Sequence, residues 1–238
     1  MYGYGYGYGY YGFDWTYVLL IIGMLLSLAA STRLKSTFSY YRKIRSASGL
    51  TGAETAQRIL RAAGITDVHV RAISGSLTDH YDPRTKTVSL SEDIYDRTSL
   101  AAVGVAAHEC GHAIQHAIGY APLEFRSAIV PIANFGSSLS WPLFLVGLIA
   151  GIRPLVTVGI VLFSLAVLFQ LVTLPVEINA SSRALKMLQS TGILGSDETK
   201  GAKKVLTAAA MTYVAALAAS ILQLLRLLIL AGGRRRDD

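Results

Sequence analysis

Four apolar blocks constrain this chain more than any other feature of it. A helix that crosses a hydrocarbon core needs about 20 mostly apolar residues. The blocks cover residues 13–30, 129–152, 154–176 and 205–230. The second and third carry no formal charge and meet at Arg153 and Pro154, so they are expected to form a helical hairpin. Pro131, Asn134 and Pro142 in the second predict kinks and packing against protein instead of free exposure to lipid. Arg226 interrupts the fourth block, where it either snorkels to the interface or marks the helix end. The chain is 52% hydrophobic and 16% charged, whereas soluble domains carry roughly 25% charged residues. The expectation is a mostly α-helical membrane protein with about four transmembrane helices and a small α+β domain. The single cysteine, Cys110, excludes an internal disulfide framework and a Cys-pair zinc site. The net charge is +7, but the basic residues flank apolar blocks. That pattern suits anchoring beside a bilayer, and no nucleic-acid partner is expected.

Charge sets the expected topology. No basic residue precedes the first block, while Arg33, Lys35, Arg42, Lys43 and Arg45 follow it. The amino terminus is then outside and the next segment cytoplasmic. Without a basic leader or a small-residue cleavage site, the block reads as an uncleaved anchor. Two further spans return the chain near Glu177, and the basic stretch 183–204 agrees. A full fourth crossing would leave Arg234, Arg235 and Arg236 outside, against the positive-inside rule, so either the last block stops short or the tail is tolerated.

The polar segments divide the rest. Residues 1–12 form a Tyr-Gly-rich tail, read as disordered because such a tract builds no core. Residues 13–31 are the anchor, 36–126 the α+β domain, 129–176 the hairpin, 177–204 a helical segment, 205–231 the last span and 232–238 a basic tail. Inside the domain, Thr51 and Glu54 make a capping-box pattern and Gly64 sits at a helix C-cap. Val68, Val70 and Ala72 alternate with His69 and Arg71, the period of a half-buried strand. Asp82-Pro83-Arg84 signals a turn, residues 86–90 a second strand, and residues 100–117 a long helix.

That helix holds His108-Glu109-Cys110-Gly111-His112, an H-E-x-x-H motif. Chance produces it in roughly three of a thousand chains of this composition, so it stands well above noise. The i, i+4 spacing puts both imidazoles on one helix face, within reach of one Zn²⁺. Glu109 is placed to take a proton from an activated water. Cys110 points to another face and reads as a packed thiol. Zinc needs a third protein ligand. His116 lies on nearly the same face, and Glu92, Glu124, Glu177 and Glu198 are the remaining acidic candidates. Glu177 stands out because it ends an apolar block, where a carboxylate is costly unless paired or metal-bound. The alternative for it is an interfacial carboxylate with a basic partner. Arg183, His80 and Tyr213 are candidates for stabilising an oxyanion.

The stretch Ala107-His108-Glu109-Cys110-Gly111-His112-Ala113-Ile114-Gln115, followed by Glu177-Ile178-Asn179-Ala180-Ser181, resembles the YugP-type bacterial membrane zinc metallopeptidases. More remotely it is similar to the HtpX and CAAX-prenyl protease group of membrane gluzincins. The resemblance covers nearly the whole chain except the two tails. It implies a zincin-like domain, one Zn²⁺ per chain, His108, His112 and Glu177 as its ligands, and Glu109 as general base. The wider group has an aspartate four residues after its ligand glutamate. Here Ser181 stands there, so Ser181 or Asn179 is expected to support a zinc histidine instead. An edge strand in the region of residues 86–90 is expected to pair with extended substrate. The implied protein is a membrane zinc endopeptidase of the bacterial plasma membrane. Its site faces the cytoplasm, and its substrates are membrane-associated polypeptides. The rival reading is a non-catalytic zinc-containing scaffold or a subunit of a membrane complex. Glu109 favours the enzyme, since a structural site needs no general base. The second span offers a surface for a membrane protein partner or a second copy.

Overall fold

The structure, a computed structural model, describes residues 14–233. The Tyr-Gly tract and Arg234, Arg235 and Arg236 lie outside the described residues. In chain order the elements are α1 (Tyr17–Tyr41), α2 (Gly52–Ala62), β1 (His69–Ile73), β2 (His80–Asp82), β3 (Thr87–Ser91), α3 (Leu100–Ala117), α4 (Ala121–Ala150), α5 (Arg153–Ser190) and α6 (Ser196–Gly233). The fold is mostly helical with one small sheet. Among the described residues, α1, α4, α5 and α6 are long and apolar enough to cross a membrane. Ile149, for example, is 83% exposed, which suits contact with lipid and not with water.

The long helices run past the limits of the apolar blocks. α1 continues past Arg33 and Lys35 to Tyr41, and α5 continues past Val176 to Ser190 without a break. Pro175 lies inside α5, two residues before Glu177. A proline removes one backbone hydrogen bond, which neighbouring helices can compensate in a membrane protein. α4 likewise runs unbroken through Pro131 and Pro142. It closes on Gly151 with φ of 70°, a left-handed cap, and Pro154 opens α5. Small residues bring these two helices together. A Cβ on Gly159 would stand 2.8 Å from the Phe144 nitrogen, so only glycine permits that approach.

Arg226 does not mark the end of the last helix, because α6 runs on to Gly233. The side chain is buried. Its Nε lies 3.3 Å from the Thr16 hydroxyl, its Nη2 3.8 Å from Asp14, and its guanidinium 4.5 Å from the Tyr17 ring centroid. An arginine within an apolar helix is thus compensated by the entry to α1, which no local pattern in the last block announces.

In the polar part, Thr51 and Glu54 form the capping box, with Thr51 Oγ1 accepting from the Glu54 N–H at 3.1 Å and Glu54 accepting from the Thr51 N–H at 2.8 Å. Gly64, with φ of 72°, follows the helix end. The sheet has the order β1-β3-β2, with β3 parallel to β1 and antiparallel to β2. The strand at residues 86–90 is therefore central, not an edge. All five residues of β3 are buried, so the strand does not alternate. The free edges belong to β1 and β2. Val88, Leu90, Ile59, Val103 and Cys110 share one core with Leu188 of α5 and Val205 of α6. The α+β part and the near ends of two long helices are thus one packed unit.

Candidate metal centre

Ser99 starts α3 by accepting from the Ala102 N–H at 3.2 Å. The helix is built of small residues, and that choice has a spatial purpose. A Cβ on Gly111 would collide with the Ala180 carbonyl of α5, and one on Gly104 would meet Ala202 of α6 at 3.4 Å. The two variable positions of the H-E-x-x-H motif therefore serve packing. Cys110 is buried in the core, and burial pushes its thiol up so that it stays protonated. Gly111 lets α3 lie directly on α5. Gly111→Ala is expected to cost about 1–3 kcal/mol by overpacking and to weaken zinc retention as α5 is pushed away. Thermal unfolding and metal content read both, and unchanged values would show that the helices have slack.

This contact brings Glu177 to the histidines. His108 Nε2 lies 3.3 Å from Glu177 Oε2, and His112 Nε2 lies 3.6 Å from the same oxygen. One ligand atom from each of the three residues lies within 4.8 Å of the others. A tetrahedral zinc with bonds of about 2.0–2.1 Å sets its donors about 3.3 Å apart. Two imidazole nitrogens and a carboxylate oxygen at these separations fit zinc in both chemistry and spacing.

Each of the three side chains is held from behind. His112 Nδ1 is 3.0 Å from Gln115 Oε1. The Gln115 amide donates to the Val176 carbonyl at 2.9 Å and to Asn179 Oδ1 at 3.0 Å. With the amide N–H groups committed, the Gln115 oxygen faces His112, so Nδ1 carries the proton and Nε2 is left to bind metal. His108 Nδ1 lies 3.1 Å from the Ser181 hydroxyl. Glu177 Oε1 lies 3.4 Å from Arg126 Nη1. Gln115→Ala is expected to weaken zinc affinity about 10–100-fold. Competition with a chelator measures it, and unchanged affinity would remove Gln115 from the support of His112.

Glu109 is buried beside this cluster. It faces a cavity of about 190 Å³ lined also by His108, Glu177, Asp79, Ser181 and Tyr213. Burial pushes its carboxyl above the ordinary range, while the two histidines pull the other way. Asp79 holds the β3 end by accepting from the Ser91 N–H at 2.7 Å and the Ser91 hydroxyl at 3.1 Å.

The other sequence candidates are separated by the fold. Tyr213 reaches the cavity from α6. Asn179 touches Gln115 and not a zinc-site histidine. Arg183 donates to Asn179 at 2.7 Å, sits 5.8 Å from the Tyr120 ring and is not among the residues that line the cavity. His80 is exposed on β2, with Nδ1 2.9 Å from the Thr78 carbonyl. His116 Nδ1 is 2.8 Å from the Tyr81 hydroxyl, and His116 is not in the three-residue cluster. Burial pushes the Tyr81 phenol up to about 12, so it stays protonated at neutral pH. Gln115 and Arg126 were not among the sequence candidates. Gln115 sits three residues after His112 on the same face, a signal available in the sequence. Arg126 lies on the next helix with no motif around it.

Comparison with known proteins places these residues in context. Residues 16–232 match a family described as "Putative neutral zinc metallopeptidase". The chain is also similar to "Putative membrane protease YugP" of Bacillus subtilis (strain 168), with 49% identity over 220 residues, covering 92% of this chain and 98% of that protein. No solved structure gives a significant match.

Proposed function

The chain belongs to this zinc metallopeptidase family, and from that premise we propose that it is a membrane-embedded zinc endopeptidase of the H-E-x-x-H plus glutamate type, with a zincin-like α+β domain. The observation that carries the reading is the spacing of His108, His112 and Glu177, with a buried Glu109 that lines one cavity together with His108 and Glu177. These three residues would hold Zn²⁺, which would supply the acidification of water and the polarisation of a carbonyl. Glu109 takes a proton from the attacking water on a carboxylate oxygen and passes it to the leaving amine. Tyr213, which lines the same cavity from α6, donates its O–H to the developing oxyanion. Ser181 and Gln115 keep the two imidazoles oriented.

The substrate is a polypeptide in extended form. With β3 central, pairing falls to β2, whose free edge continues into residues 77 and 79 of the cavity lining. Strand addition uses backbone hydrogen bonds and leaves specificity to side-chain pockets. Arg33, Lys35, Lys200, Lys203 and Lys204 lie at the site end of α1 and α6. By the positive-inside rule, that end faces the cytoplasm of a bacterial cell. A tag near Ser48 should be protected in intact cells; labelling from outside would overturn this orientation.

The test of function is hydrolysis of an unfolded or membrane-bound polypeptide by detergent-purified full-length protein. The expected result is about one zinc per protomer, loss of cleavage on chelation, and recovery on adding zinc. Zinc-loaded protein that cleaves no such polypeptide would sink the proposal.

A further inference from the structure

α1 and α6 touch at two places and part between them. A Cβ on Gly23 would stand 3.1 Å from Ala219 Cα at one contact, and a Cβ on Gly201 would stand 2.9 Å from the Tyr41 ring at the other. Between them lies a crevice of about 1000 Å³. Toward the α+β part its lining is basic, with Arg33, Lys200, Lys203 and Lys204; toward the apolar half it is small and hydrophobic, with Ala29 and Ala218 among the lining residues. No acidic residue lines it. Asp197 engages Lys200 at 2.8 Å. Among the described residues no ion pair reaches Arg33, Lys203 or Lys204.

We infer that this crevice seats one anionic phospholipid, its phosphate on Arg33, Lys203 and Lys204 and an acyl chain along the alanines. Two observations argue for it. The cations complement an anionic headgroup at a bilayer surface, where each basic residue contributes to lipid attraction. The order along α6 is that of an amphiphile. From Lys203 to Ala218 the helix rises about 22 Å, the depth of a headgroup plus one leaflet of about 15 Å. The crevice lies on the outer face of the helix pair. Ala208 lines it, whereas Leu206 and Ala209 line the metal cavity. A bound lipid therefore backs the wall of that cavity.

The test is native mass spectrometry of the full-length protein in detergent, with phosphatidylglycerol and phosphatidylcholine of identical acyl chains in equal amounts. The expected result is retention of one phosphatidylglycerol per protomer, preferred about tenfold or more. The R33Q/K203Q/K204Q variant should lose that preference. Ala218→Phe, which fills the apolar part, should lower retention with the cations intact. Melting temperature and helical circular dichroism check that both variants fold. If the triple variant does not fold, Lys203→Gln alone should still reduce the preference measurably. Equal retention of the two lipids, or undiminished preference in a folded variant, would overturn the inference. Displacement of the lipid by inorganic phosphate would reassign the site to the free anion. A photoreactive group at Met211 that captures polypeptide instead of lipid would reassign it to a peptide.

Discussion

Replacing Glu109 by glutamine is expected to lower peptide hydrolysis about 10²–10⁴-fold, the usual contribution of a positioned general base, and to leave zinc bound. The two halves of this result come from different observations. Glu109 is not in the three-donor cluster, so the metal loses no ligand. Glutamine has nearly the same shape, so the packing of α3 is kept. What it lacks is a carboxylate able to accept the water proton in the cavity that Glu109 shares with His108 and Glu177. Hydrolysis rate and zinc per protomer are to be measured on the same preparation. Full activity with zinc retained would remove Glu109 from the mechanism; lost zinc would make it a supporting residue of the metal.

Glu177→Ala should have the opposite signature, with zinc lost first and activity with it. Removing a partner behind a metal ligand costs about 10–100-fold in affinity, and removing the ligand itself should exceed that. The variant also leaves Arg126 without the carboxylate it faces at 3.4 Å, so the near end of α4 is expected to loosen. Glu177→Asp separates these effects. It keeps the charge for Arg126 but draws the oxygen back from the histidines, so its zinc loss should persist while stability recovers. Equal zinc in wild type and Glu177→Ala would place the third donor elsewhere. His116 is the nearest sequence alternative, but it is tied to Tyr81 at 2.8 Å.

Features governed by local physics were legible in the sequence. Apolar length alone announces the four long helices. The reciprocal bonds of Thr51 and Glu54 depend on residues three apart, and the imidazoles of α3 share a face because of the helical period. What escaped depends on contacts between distant segments. β2 is three residues long, too short to show a period, and it exists because β3 offers it a partner. Its presence moved β3 to the centre of the sheet and the free edge elsewhere. Arg226 is compensated by Asp14, more than 200 residues away. Arg126 meets Glu177 only because α4 and α5 return to the same end of the bundle. Ser181 and Asn179 are indistinguishable by spacing arguments alone. The fold gives Ser181 to His108 and Asn179 to Gln115.

α5 is one unbroken rod from Arg153 to Ser190, and Glu177 is fixed to it. Its partners His108 and His112 ride on α3, which is not one of the four helices long and apolar enough to cross a membrane. Each residue of helix is a rise of 1.5 Å and a turn of about 100°. An axial slip of even one residue would therefore swing the carboxylate away from both imidazoles. Helices adjust their tilt to bilayer thickness, so a change in the layer around α5 strains one jaw of the metal grip against the other, although both belong to one packed core. The Gln115 bond to the Val176 carbonyl and the bare backbone contact at Gly111 are the clamps that resist such slippage. The chain is built like a caliper, and zinc retention is expected to vary with the acyl length of the membrane around it.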